Sequence, residues 1–106
     1  MHSYKVKFTV AADKDLLDIF DYIYTELDSP ESAKKITDML FQMCRNLAVF
    51  PKQGPVRGIF DEERIRTIHY GKYAIIYYVD DISREVHIRA IKYARIDFEG
   101  LLGDIF

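Results

Sequence analysis

The residues of this chain best suited to chemistry are cations set among tyrosines in its second half. Lys52, Arg57, Arg64, Arg66, Lys72, Arg84, Arg89, Lys92 and Arg95 fall in one stretch, interleaved with Tyr70, Tyr73, Tyr77 and Tyr93. Cations beside aromatic rings on a sheet face hold single-stranded RNA, by phosphate contact and base stacking, or else an acidic peptide. Any one of these residues is equally well an ordinary surface cation, and it is their grouping that points to a binding face. Other chemistries lack their residues. There is no C-x-x-C or H-E-x-x-H spacing, and His2, His69 and His87 are dispersed, so neither a metal site nor a cofactor is expected. His69 and His87 read as hydrogen-bonded structural histidines. The glycines stand singly, without a phosphate-cradling loop, and no Ser or Cys occupies a nucleophile elbow. Cys44 lies in an apolar helical run and reads as an inert core thiol.

Something must position those side chains, and the chain is short enough for one domain to do it. Its 106 residues are expected to form a single domain over 1–106. Hydrophobic residues at 49% and charged residues at 30% give a globular balance, which excludes a disordered chain. The net charge of −2 argues against a protein that binds nucleic acid unaided, although the charge is unevenly spread. One cysteine cannot form an intrachain disulfide and fits a reducing compartment. With no leader pattern and no run near the roughly 20 apolar residues of a membrane span, the expectation is a soluble cytoplasmic protein.

The periodicities come in two blocks. Tyr4, Val6, Phe8 and Val10 alternate with Lys5, Lys7 and Thr9, a half-buried strand. A helix is predicted from about Ala11 to Leu27, with Leu16, Ile19, Phe20, Ile23, Tyr24 and Leu27 on its apolar stripe and Asp13, Asp15, Asp18 and Asp21 opposite. Ser29-Pro30-Glu31 combines an N-cap, a first-position proline and a first-turn acid, and restarts a helix that runs to about Phe50. Pro51 ends it. The short link makes the two helices an antiparallel hairpin. Then come strands: Ile65–Tyr70, Tyr73–Val79 and Glu85–Tyr93, a meander whose middle member is almost wholly apolar. The first strand is expected at an edge of this sheet. Together they predict a two-layer α+β domain, an N-terminal strand and helical hairpin packed on one face of an antiparallel sheet of about four strands, with the second face uncovered. The apolar end, Phe98 to Phe106, reads as a last helical turn or a partner-binding tail.

Order and spacing of three motifs then resemble a known family. T-V-A-A-D-K-D-L after the first strand, L-A-V-F-P closing the hairpin, and I-R-T-I-H-Y-G-K-Y-A-I-I-Y-Y-V-D in the meander are similar to the RelE/ParE toxin superfamily, over Tyr4 to about Leu102. The resemblance implies the toxin of a type II toxin–antitoxin (plasmid-stabilisation) module, with a cognate antitoxin that wraps it and blocks its active surface, in a homodimer or a toxin–antitoxin heterotetramer. Arg66 matches a family arginine, Tyr73 and Tyr77 match two family tyrosines, and Arg95 with Asp97-Phe98 matches an R-x-D-aromatic ending.

Two targets follow from the resemblance. A RelE-like, metal-independent endoribonuclease acting on mRNA at the translating ribosome needs a base for the 2′-hydroxyl, cations for the phosphorane and an acid for the leaving oxygen. Arg66, Lys92, Arg95 and Tyr93 are the catalytic candidates, with Arg57, Arg89, Tyr73 and Tyr77 as substrate or target contacts. For base or acid the chain offers Glu62, Glu63, Tyr93 or His69. It departs from the nucleases at Ala74, where many carry arginine, and at Lys92-Tyr93-Ala94, where they carry His or Tyr. The D-S-P-E-S-A link and the acidic net charge look more like the ParE branch, which poisons DNA gyrase without hydrolysis. A third reading is a degenerate member that only binds its antitoxin.

Overall fold

A computed structural model of the chain describes residues 3–93. It begins with β1 (Lys5–Phe8), α1 (Val10–Thr25) and α2 (Pro30–Asn46), followed by β2 (Val56–Phe60), β3 (Glu63–Tyr70), β4 (Tyr73–Asp80) and β5 (Glu85–Tyr93). The strands form one sheet in the order β1-β5-β4-β3-β2. The expected two-layer α+β arrangement is what the chain adopts, with β1 at an edge. The sheet is five-stranded and mixed, not a four-stranded antiparallel one, because β1 runs parallel to β5 and β2 adds a hairpin arm on β3. The tail from 94 onward, including Phe98 to Phe106, lies outside the described residues. Among the described residues no helix is long and apolar enough to cross a membrane.

Helix boundaries follow their caps. Thr9 caps α1 by accepting from the Ala12 N–H at 3.1 Å, and Ser29 caps α2 ahead of Pro30 and Glu31 as the sequence predicts. α1 stops at Thr25, short of Leu27, because Asp28 turns into the left-handed region with φ 47° and the Ser29 N–H returns to the Ile23 carbonyl. The predicted extension of α2 to Phe50 is instead a tighter turn. Leu47, Ala48 and Val49 each donate to the carbonyl three residues back, and the Ala48 carbonyl accepts from Tyr4.

The main core lies between the helices and the sheet: Ala12, Leu40, Cys44 and Leu47 meet Ile75, Tyr77, Val86, Ile88 and Ile91, all essentially unexposed. Burial pushes the Cys44 thiol up to about 12, as suits an inert core residue. The second sheet face, expected to be uncovered, carries an apolar cluster of its own. Ile65, Ile76 and Ala90 are buried there against Phe60 and Tyr78, and Thr67 is buried as well. A bulge makes this work. Ile76 pairs with Ala90 while Tyr77 pairs with Ile88, so Arg89 is an extra residue and Ile88 and Ala90 face opposite ways.

The β2–β3 hairpin closes on Asp61 and Glu62, at φ 53° and 66°. Both signs suit a two-residue hairpin turn, in which Asp61 is a favoured first residue but Glu62 stands where glycine is preferred. Replacing Glu62 by glycine is expected to raise stability by about 0.5–1 kcal/mol in urea unfolding. A loss of stability would show that Glu62 makes a contact outweighing its backbone strain.

Candidate functional site

Two places gather the candidate residues. The first is an open groove of 1080 Å³ between the helical hairpin and the end of the sheet where β3 turns into β4. Ile19, Leu27, Ile36 and Ile91 give it an apolar lining, and Tyr22, Tyr70, Tyr73 and Tyr93 bring four rings to it. Tyr73 and Tyr93 meet edge to face with centroids 5.6 Å apart. Burial, then the neighbouring Tyr93 and Tyr22 hydroxyls, raise the Tyr73 phenol above its ordinary value, so it stays a neutral hydrogen-bonding group. Lys72 and Lys92 line the same groove with Asp15 and Asp18.

Asp15 organises this end. Although it lies on α1 among acids expected to face solvent, it is buried at 8% exposure. One carboxylate oxygen accepts from the Ile91 backbone N–H at 3.0 Å and the other from Lys92 Nζ at 2.9 Å. The reason is local. β1 pairs with β5 only as far as Ile88, so the β5 edge beyond it has no strand partner. Thr9 takes up that edge by donating its hydroxyl to the Arg89 carbonyl, and Asp15, two turns further on, receives the Ile91 N–H. A sequence signal existed: Asp15 stands in helical register with Ala12, Ile19 and Ile23, on the apolar stripe and not opposite it.

The second place is the loop after α2. The Tyr77 hydroxyl accepts from the Gly54 N–H at 3.1 Å, and Arg66 donates to the carbonyls of Gly54 at 2.7 Å and Lys52 at 3.3 Å. Gly54 must be glycine, since a Cβ would lie 2.3 Å from the Thr67 carbonyl oxygen. Lys52 Nζ reaches Asp81 at 2.8 Å, and the Tyr4 hydroxyl donates to the same carboxylate at 2.7 Å.

Among the described residues the predicted catalytic set is only partly brought together. Lys92 and Tyr93 meet in the groove, where Tyr73 joins them. Arg66 is turned to the loop carbonyls at a different place. Tyr77, expected to contact a target, is fully buried with its hydroxyl committed to the loop, so its role is support. Arg89 lies 3.6 Å from Glu63 on the second face, where Glu63 also binds Tyr78 and the Tyr78 ring stacks on His87 at 4.7 Å. Burial and the Glu63 hydrogen bond push Tyr78 up to about 12. Arg57 sits exposed on β2, and Arg95 lies outside the described residues. Among the described residues no group of three His, Cys, Asp or Glu is placed to hold a metal ion.

With this geometry in hand, the comparisons with known proteins are specific. A family profile described as the ParE toxin of the type II toxin–antitoxin system parDE matches residues 6–98. The chromosomal ParDE system of P. aeruginosa contains a chain of the same shape, with TM-score 0.70 and 25% identity over 90% of this chain and 100% of that one. The toxin–antitoxin complex RelBE2 of Mycobacterium tuberculosis gives TM-score 0.65 at 20% identity, covering 86% and 98%. The isolated E. coli RelE toxin gives 0.62 at 15%, covering 98% and 100%. No sequence match is found among curated proteins.

The Asp15 contacts make a stability prediction. Asp15→Ala leaves a buried N–H without an acceptor and is expected to cost about 2 kcal/mol in urea unfolding. Asp18→Ala removes only the exposed Lys14 pair, 2.7 Å apart, and should cost about 0.5 kcal/mol or less. Equal costs would contradict the anchoring role.

Proposed function

This chain belongs to the ParE toxin family of type II toxin–antitoxin systems, and we propose that, as the toxin of such a module, it acts by binding DNA gyrase and not by cutting RNA. The observation that carries this reading is the dispersal of the predicted catalytic residues. An RNA-cutting site needs cations and proton carriers around one phosphate. Here, of the catalytic candidates among the described residues, Arg66 serves the loop, whereas Lys92 is tied to Asp15 in the groove beside Tyr93, in a different part of the sheet. A poison that works by holding a protein needs surfaces and no convergent acid and base.

The groove is the surface we assign to the cognate antitoxin, in a toxin–antitoxin assembly like those of the ParDE and RelBE2 neighbours. Its apolar lining and four tyrosines suit the apolar face of an amphipathic segment, with tyrosine hydroxyls and Lys72 at the wet margin. The RNA-cutting alternative, for which Arg66, Lys92, Arg95 and Tyr93 are the expected catalytic residues, would find a further acid–base group in Glu63, Tyr78, His87 and Arg89 on the second face. Its carboxylate is occupied by Tyr78 and Arg89, which opposes a role as free base.

Expression without the antitoxin is expected to arrest growth; normal growth at confirmed soluble expression would favour a member that has lost toxicity. For the target, purified toxin at micromolar concentration should inhibit supercoiling by gyrase and accumulate gyrase-linked DNA breaks. Unaffected gyrase together with codon-linked cuts in translated messages would overturn the gyrase reading, and loss of those cuts in Glu63→Gln or Arg89→Ala would identify the nuclease site.

A further inference from the structure

The segment that joins the hairpin to the sheet has an unusual combination of rigidity and exposed apolar surface. Between Leu47 and Pro55 the backbone is tied down repeatedly. The N–H groups of Leu47, Ala48, Val49, Phe50 and Gln53 are bonded within the segment or to the end of α2. The carbonyl of Ala48 accepts from Tyr4, that of Pro55 from Thr67, and those of Lys52 and Gly54 from Arg66. Tyr77 holds the Gly54 N–H from inside the core. Yet at the crest of this fixed loop Phe50 is 67% exposed and Val49 stands out beside it. An exposed aromatic held in place beforehand has little ordering entropy left to lose on binding, which is the property of an interface anchor.

The sequence that flanks the crest is one-sided in charge. From Met39 to Phe60 the sequence contains no Asp or Glu, but it carries Arg45, Lys52 and Arg57, in a chain whose net charge is −2. Arg45 lies over the Phe41 ring at 5.9 Å, and the nearby Asp81 carboxylate is matched by Lys52. The crest is also remote from the groove. The groove surrounds the Tyr70–Tyr73 turn at the start of β4, whereas the loop is fastened to Tyr77 and to Asp81 beyond the end of β4. Along the strand Tyr77 lies roughly 13 Å and Asp81 roughly 26 Å from Tyr73.

We propose that the Val49–Phe50 crest is the surface by which this toxin grips its target protein, inserting Phe50 into an apolar pocket rimmed by carboxylates, while the antitoxin groove remains separate. The inference rests on the reading of the chain as a toxin with a protein target. RNA is the poorer occupant of this crest, because the aliphatic Val49 beside Phe50, like Val56 and Ile59 exposed on the strand that follows, gives nothing to phosphates or stacked bases.

The test compares wild type, Phe50→Ala, Phe50→Tyr and Arg45→Glu, each co-purified with its antitoxin to confirm folding and then freed from it. Phe50→Ala should bind antitoxin within about threefold of wild type, fail to arrest growth and inhibit gyrase at least about tenfold more weakly. Phe50→Tyr should keep most of the toxicity, and Arg45→Glu should lose several-fold of it. Full toxicity of Phe50→Ala overturns the proposal, as does a loss of antitoxin binding equal to the loss of toxicity. If wild type arrests growth without touching gyrase, the target reading fails while the growth assay still tests the crest. Binding of naked ribosomal RNA that disappears in Phe50→Ala would show the crest to be an RNA surface and would overturn the assignment to a protein.

Discussion

A bare stretch of strand edge shapes this molecule more than any other feature. β1 is only four residues long, so β5 runs on past Ile88 with nothing alongside to receive its backbone groups. Those groups are satisfied by side chains of the helix that follows β1, Thr9 at the Arg89 carbonyl and Asp15 at the Ile91 N–H. α1 is in this sense the continuation of β1 along the same edge. A helix held so close to the strand sets the height of the hairpin over the sheet, buries Ala12 and Ile23, and leaves the groove open beyond it. Lys92, drawn to the same carboxylate, becomes part of the groove wall.

The other end of the sheet is fixed by a different device. There a tyrosine hydroxyl and a guanidinium clamp a glycine-centred loop, with a carbonyl oxygen so near that no side chain fits. A tie of this kind contributes about 1 kcal/mol per hydrogen bond, somewhat more when charged. Several of them outweigh the modest cost of holding Phe50 and Val49 in water. The groove is adaptable in composition, rich in tyrosine and open, whereas the crest is rigid and small. The two surfaces differ in kind, as the proposed separation of antitoxin and target requires.

Much of this architecture could be read from the residues. Tyr73–Val79 announces a central strand by its unbroken apolar run, and Ser29-Pro30-Glu31 marks the start of α2 almost to the residue. What escaped did so for physical reasons. β2 carries Arg57, Gly58 and a bulge in five residues, so its alternation never shows. The bulge at Arg89 reverses the facing of Ala90, which hid the second apolar cluster behind an apparently polar pattern. Asp15 was grouped with Asp13, Asp18 and Asp21 opposite the apolar stripe although its register with Ala12, Ile19 and Ile23 puts it on that stripe, and the unpaired strand edge that it serves lies 76 residues further on. Arg66 and Tyr77 were legible as important, but their ties to the loop were not, since residue type alone does not tell a clamp from a contact. Family resemblance supplied the function, and the fold supplied two separate surfaces on which to place its partners.

The central claim is that antitoxin and target occupy different ends of β4. Hydroxyl-radical footprinting of the toxin, free, bound to antitoxin and bound to gyrase, tests it most directly because it reads side chains. Antitoxin should protect Tyr22 and Tyr93 in the groove and leave Phe50 reactive, and gyrase should protect Phe50 and leave the groove tyrosines reactive. Protection of the same residues by both partners would contradict the division.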